Sequence, residues 1–484
     1  MTLGLRLRFL LVCVLLRAAQ LWATLACRRL HGQAFGGSTY RVWRASEEFG
    51  FSGPFDYPTV AEQPPEEAYP PLLSVSEGLV LLALKVPLDG RGARWTSLRA
   101  LDSAYAVLGR PEICGRAGPD GALSDSAFLR LRRDGPHAHW VRRDGAGWIV
   151  DYCELLAGLP RTPGRRLEPC ALRWDAARMQ IAVGQDWVAP GDPRWGEARR
   201  LFHLAELHVH ECVSHLLWTH LHAEQVMIAT VQHLPRGHAI RELLAPHFAF
   251  TLQANQNSGK VLMGAGGVFD RLFSCGWAGA AELMVRGERA WRYARMVPPL
   301  DLDERGVRVD GRVALEDYPW AEDALGLWEA VEGHARRRVQ GWDAAADAWA
   351  GALLAQFGDR GWPAATDADT RVQVVAACMF MTVRHTLVNA QQYPMFGHPA
   401  HWQATMPDTG TTALDQLPSV EQTLDTMRAT FAFSIQYTTL MASDDPEFSA
   451  DLARVAASVE ARERGREHRY GVGHPAKVSA SIMA

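Results

Sequence analysis

The sequence is almost without lysine, which occurs only at 85, 260 and 477. Its positive charge is therefore arginine, and 50 Lys and Arg against 54 Asp and Glu leave a net charge of −4. So balanced a chain offers no case for gripping nucleic acid, and no nucleic-acid partner is expected. Cysteine is scattered: the eight, at 13, 27, 114, 153, 170, 212, 275 and 378, form no CxxC pair and no tight cluster. That argues against a disulfide framework and against a thiolate zinc site. Long apolar runs are missing too. None reaches the ~18 residues that a membrane-spanning helix requires, so an integral membrane protein is not expected.

Apolar material is nevertheless abundant. Of 484 residues 48% are hydrophobic, and 17 are Trp, enough for a large core with an apolar cavity inside it. At the start, Arg6 and Arg8 precede the apolar run 9–16, and small residues follow at Ala18, Ala23 and Ala26. This pattern fits either a secretory signal or an amphipathic helix that stays on the protein. The compartment is accordingly cytoplasmic on one reading and secreted or periplasmic on the other. Residues 50–75 are rich in Pro, Glu, Tyr and Gly and read as an extended arm. Residues 76–87 fit a short helix or a buried strand. The run 171–184 alternates on either side of Asp175, as a small hairpin does.

After Pro193 the apolar residues recur at helical spacing. Helical stretches are expected over 194–285, with interruptions at Pro235, Pro246 and Gly264 to Gly267, then over 321–357, 367–392, 419–441 and 444–464. The fold class is thus mainly α, with a small irregular or β part towards the N-terminus. The expected division is an N-terminal segment, 1–75, and a helical catalytic body, 76–484.

Six histidines fall within 203–222, at 203, 208, 210, 215, 220 and 222. Such a density inside an apolar helix costs too much desolvation to be casual. His210 and Glu211 do not make the zinc-hydrolase pattern HExxH, because the next histidine, His215, is five residues from His210 rather than four. At about 100° per residue, side chains five apart on an α-helix point about 140° away from each other. They converge on one ion only if the helix widens locally into a π-type turn. His210 with His215 and His215 with His220 share this spacing, so spacing leaves both pairs open. Far along the chain, His385 and Asn389 are four apart and share one helix face. Imidazoles with a carboxamide oxygen suit iron or manganese better than a thiolate-preferring ion.

Taken together, these segments resemble the lipoxygenase family. The resemblance runs through SDSAFLRLRRDGP (124–136), WIVDYCELLAGLP (148–160), DPRWGEARRLFHLAELHVHECVSHLLWTHLHAEQVMIATVQHLP (192–235), LLAPHFAFTLQAN (243–255), DYPWAEDALGLWEAV (317–331), RHTLVNAQQYP (384–394), TFAFSIQYTTL (430–440) and the tail. It covers roughly residues 120–484, in family order. It implies the large helical catalytic domain, without the N-terminal β-sandwich lipid-targeting domain found in some members.

The resemblance also implies a site. The metal ligands are His215, His220, His385 and Asn389, and the three histidines act in catalysis through the metal-bound hydroxide. A C-terminal carboxylate completes the set in the family. Here Ile482 aligns with the family's terminal isoleucine but Met483 and Ala484 follow it, so the fifth ligand is Ile482 or Ala484. Glu211 and Gln392 stand behind the ligands. Leu216, Leu221, Ser258, Leu262, Leu272 and Phe273 line the substrate pocket. Ser258 occupies a position associated with the face that receives oxygen, and Leu262 one that wedges the reacting methylene. The implied activity is a non-haem iron dioxygenase that adds O2 to polyunsaturated fatty acids and gives hydroperoxides, with manganese as the alternative metal. A hydroperoxide isomerase or a lipid-binding pseudoenzyme on the same fold are the competing readings. Peripheral contact with a membrane accompanies such substrates.

Overall fold

The computed structural model describes residues 3–30, 42–43, 53–55, 57–60, 69–90, 92–105, 124–389, 404–410, 412, 414–432, 435, 443, 445–466 and 473–481. Helices dominate them, and the strands make short pairs and one small sheet. That sheet has five antiparallel strands in sequence order: Arg142–Asp144, Gly147–Asp151, Cys170–Trp174, Met179–Val183 and Asp186–Val188. The hairpin expected around Asp175 is its third and fourth strands, with Trp174 opposite Met179. The Asp175 carboxylate accepts from the backbone N–H of Ala177 at 2.8 Å and of Arg178 at 3.0 Å, which closes the turn. One face of the sheet buries Val150, Leu172 and Ile181 in the main core.

Trp195 opens a helical rod that runs to His233. Trp195–Val209 and His222–His233 are α-helical, but the middle, His210–Leu221, is a π-helix in which all 12 residues are buried. A widened turn is marginal by itself and needs outside support. Thr219 Oγ1 donates to the His215 carbonyl, and Asn255 Nδ2 donates to the His220 carbonyl at 3.1 Å. Trp218 Nε1 donates at 3.1 Å to the carbonyl of Gly287, on the neighbouring helix Gly276–Ala290. The two helices pass so close there that a Cβ on Gly287 would lie 2.7 Å from Val213 Cγ1.

Helix Ala368–Asn389 crosses behind the rod. From Val374 to Asn389 it is buried on every side, as befits the innermost helix of a large helical body. The stretch expected as one helix over 321–357 is two, Pro319–Arg338 and Ala344–Phe357. The break is local chemistry: Gly341 turns the chain at φ +69°, and Asp343 caps the second helix by accepting from the Ala346 N–H at 2.9 Å.

The N-terminus is a helix, Leu3–Leu30, and residues 76–85 belong to a second one, Pro71–Lys85, rather than to a strand; Val86 caps its end. The boundary drawn between residues 75 and 76 therefore falls inside an element. Leu5, Phe9, Val12 and Leu16 of the first helix meet Leu73 and Val80 of the second and Leu424, Met427 and Phe431 of helix Val420–Ala432. Ser76 Oγ donates to the Ala19 carbonyl at 2.8 Å and pins the pair. Among the described residues, no helix is long and apolar enough to cross a membrane.

The close pass at Gly287 yields a test. Gly287→Ala is expected to lower stability by about 1–3 kcal/mol through the clash with Val213. Combining it with Val213→Ala should cost less than the sum of the two single changes, as read by urea unfolding. Strictly additive losses would contradict the packing described.

Candidate metal centre and its cavity

The π-helix brings residues five apart onto one side. The rings of His215 and His220 lie 4.9 Å apart between centroids and those of His210 and His215 5.9 Å, so both candidate pairs approach. The third histidine separates them. His385, from helix Ala368–Asn389, puts its Nε2 3.1 Å from His220 Nε2, which itself lies 3.2 Å from His215 Nε2. His215, His220 and His385 thus present donor atoms to one point, all three buried. His210 forms a second candidate group with Glu211 and His215. Its ring, however, packs edge-on against His137 at 4.8 Å and is not part of the group that contains His385.

The protons on these rings decide what the cluster can do. Asn255 Nδ2 donates to Glu224 Oε2 at 2.6 Å and to the His220 carbonyl, so its Oδ1 faces His220 Nδ1, 2.9 Å away, as an acceptor. His220 Nε2 is therefore a lone pair. Burial pulls His220 and His215 down to about 3 and His385 well below its ordinary value, so none of the rings is cationic. One in-plane lone pair accepts one N–H, yet two ring nitrogens flank it. A cation among the three satisfies the geometry. Two imidazole nitrogens, each about 2.1 Å from one ion and at right angles, lie about 3 Å apart, close to the separations seen.

The surrounding groups complete the arrangement. Glu211 Oε2 lies 3.0 Å from His215 Nδ1, and burial pushes the Glu211 carboxyl up to about 8. A cation on the far side of the ring would favour the carboxylate, accepting from Nδ1–H. Asn389 Nδ2 lies 3.4 Å from His385 Nε2, and its buried Oδ1 has no hydrogen-bond partner. Turning the amide over brings that oxygen to the histidine cluster, a hard donor beside three imidazoles. Gln392, Ile482 and Ala484 lie outside the described residues.

A cavity of about 160 Å³ opens from this cluster, with His215, His220, Glu211 and Asn389 in its wall. Leu216, Ser258, Leu262, Leu272 and Phe273 line it. Leu221 does not: one position past His220 it is turned away, and its Cδ1 sits 3.1 Å from the Cβ position of Gly53. Two features were missed in the sequence. Asn255 orients His220, although it closes the quoted run LLAPHFAFTLQAN. Tyr69, Glu77, Val80, Leu81 and Leu84, from helix Pro71–Lys85 and the residues before it, form one wall of the cavity. Their only sequence signal is the apolar run itself.

The helical body thus carries, on its π-helical turn, buried imidazoles that converge with His385 at the wall of an apolar cavity. Residues 179–445 match the family model for lipoxygenase, and this chain belongs to that family. The polyunsaturated fatty acid lipoxygenase ALOX12 of Mus musculus is 26% identical over 404 residues, covering 75% of this chain and 59% of that protein. Lipoxygenase 2.2, chloroplastic, of Hordeum vulgare is 32% identical over 235 residues, or 42% of this chain and 25% of that one. The chain thus spans less than two thirds of the length of these relatives. In three dimensions it is similar to the solved Delta413-417:GS LOX in complex with arachidonate, with TM-score 0.76 and 18% identity over 92% of this chain and 80% of that one. That likeness establishes the fold.

Asn255 carries a prediction. Asn255→Ala removes the acceptor for His220 Nδ1–H and a donor to the buried Glu224 carboxylate. The expected loss is about 2–3 kcal/mol in urea unfolding. An unchanged unfolding midpoint would show that these bonds do not hold the site.

Proposed function

We propose that the chain is a non-haem iron dioxygenase that adds O2 to polyunsaturated fatty acids to give hydroperoxides. One observation carries the reading: three buried imidazole nitrogens converge at the wall of an apolar cavity. The occurrence of arachidonate in a solved relative of the same fold supports the substrate class. His215, His220 and His385 would hold the metal with the Asn389 amide oxygen, and the C-terminal carboxylate, at Ile482 or Ala484, is the expected fifth donor. Iron fits this nitrogen and oxygen set, and no thiolate is needed. When bound, it supplies the one-electron chemistry that removes a hydrogen atom from the methylene between two cis double bonds.

The rest of the reaction falls to the chain's own side chains. Leu207, Leu216, Phe269 and Phe273 give the acyl chain a water-poor channel, where an aqueous side reaction of a carbon radical is suppressed. Leu262 and Ser258, on adjoining turns of helix Thr251–Val261 and its end, would set which carbon stands beside the histidines and which face is open to O2. Glu211 and Asn255 hold the two π-helix imidazoles by their Nδ1 atoms, so that each Nε2 keeps its aim.

The test is direct. Purified protein is expected to contain iron and to consume O2 with linoleate faster than with linoleate hydroperoxide. His385→Ala is expected to lose both the metal and the uptake, with a fall in rate of about 100-fold or more. Full iron content and full uptake in that variant would sink the assignment. Consumption of the hydroperoxide alone would instead identify an isomerase.

A further inference from the structure

Helix Leu3–Leu30 is apolar on two opposite faces. One face, Leu5, Phe9, Val12, Leu16, Ala19 and Ala23, is buried against Pro71–Lys85 and Val420–Ala432. The other carries Leu3, Leu7, Leu10 and Val14, three or four residues apart, and, two turns further on, Leu21 and Leu25; these are 38–73% exposed. Exposed apolar stripes of this length are uncommon on a soluble surface and mark a contact. On the second helix Val75 and Leu82 are also exposed, at 43% and 53%.

Charge selects the partner. Residues 1–46 contain seven Arg and no Asp or Glu, in a chain whose net charge is −4. Arg6 and Arg8 are exposed on the same helix, in the turns that carry Leu3, Leu7 and Leu10. Apolar side chains projecting from a basic helix match an anionic lipid surface, where the leucines enter the acyl boundary and the guanidinium groups meet headgroups. The helix does not meet the requirement for a span, so it would lie in the plane of the interface.

Position gives the contact a purpose. The helix under the stripe, Pro71–Lys85, turns Val80, Leu81 and Leu84 into the cavity that opens from the histidine cluster. We infer that Leu3–Leu30 docks the protein onto an anionic bilayer, and that this places the cavity wall formed by Pro71–Lys85 one helix beneath the lipid from which the acyl chain is drawn. The inference rests on the proposed fatty-acid activity for its purpose but not for the docking itself.

The experiment is co-sedimentation of the full chain with vesicles of phosphatidylglycerol and phosphatidylcholine, without turnover. Wild type is expected to pellet with mixed vesicles and to be released by salt. The triple variant Leu7→Glu, Leu10→Glu, Val14→Glu is expected to bind about tenfold more weakly or worse. Its melting temperature and O2 uptake with dispersed linoleate should stay as in wild type. Arg6→Gln with Arg8→Gln should weaken binding to anionic vesicles and flatten its salt dependence, with the leucines intact. The inference is overturned if wild type does not pellet, if the triple variant pellets equally, if the stripe instead mediates a dimer that the triple variant abolishes, or if the purified protein lacks residues 3–30. Loss of oxygen uptake in wild type with retained vesicle binding would count against the activity and leave the docking standing.

Discussion

The π-helical turn at His210–Leu221 is the constraint on which the site depends. On a regular α-helix His215 and His220 would point about 140° apart. The wider turn puts their rings 4.9 Å apart instead. Such a turn is not stable through its own hydrogen bonds alone. It is held from outside, by the Trp218 bond to the Gly287 carbonyl, by Asn255 on the His220 carbonyl, and by complete burial among neighbouring helices. The large helical body can be read as the scaffold that enforces this one local departure.

The same turn ties the histidine cluster to the cavity. Glu211, His215, Leu216 and His220 all belong to it and all face the cavity. The opposite wall comes from Pro71–Lys85, before the sheet, and from Ala429 on helix Val420–Ala432, more than 300 residues later. The cavity is therefore a product of long-range packing. In the proposed function, selectivity among carbons would depend on how the N-terminal helix pair seats on the body as much as on the residues beside the histidines.

The helical character of the body and the hairpin at Asp175 were legible in the sequence because each has a local cause: apolar period for the first, a turn-closing carboxylate for the second. The condition for His215 and His220 to meet was legible as well, since five-residue spacing demands a widened turn. The choice between the two histidine pairs was not. It is made by His385, which reaches the cluster from another helix, and the family resemblance supplied what spacing could not. The break within 321–357 was hidden because Gly341 and Asp343 sit in a run that otherwise keeps helical composition. Leu221 was placed in the pocket by its neighbourhood to His220, but one residue on a helix is a different direction. Asn255 and the wall from Pro71–Lys85 have no motif, and only the folded chain brings them to the site.

The central claim is that His215, His220 and His385 hold one iron. X-ray absorption at the iron edge, on protein loaded anaerobically with ferrous ion, tests it most directly. The account predicts close to one iron per chain, a first shell of nitrogen and oxygen at about 2.1 Å, and the outer-shell scattering of several imidazoles. A sulfur shell, or an iron spectrum without imidazole scattering, would contradict it.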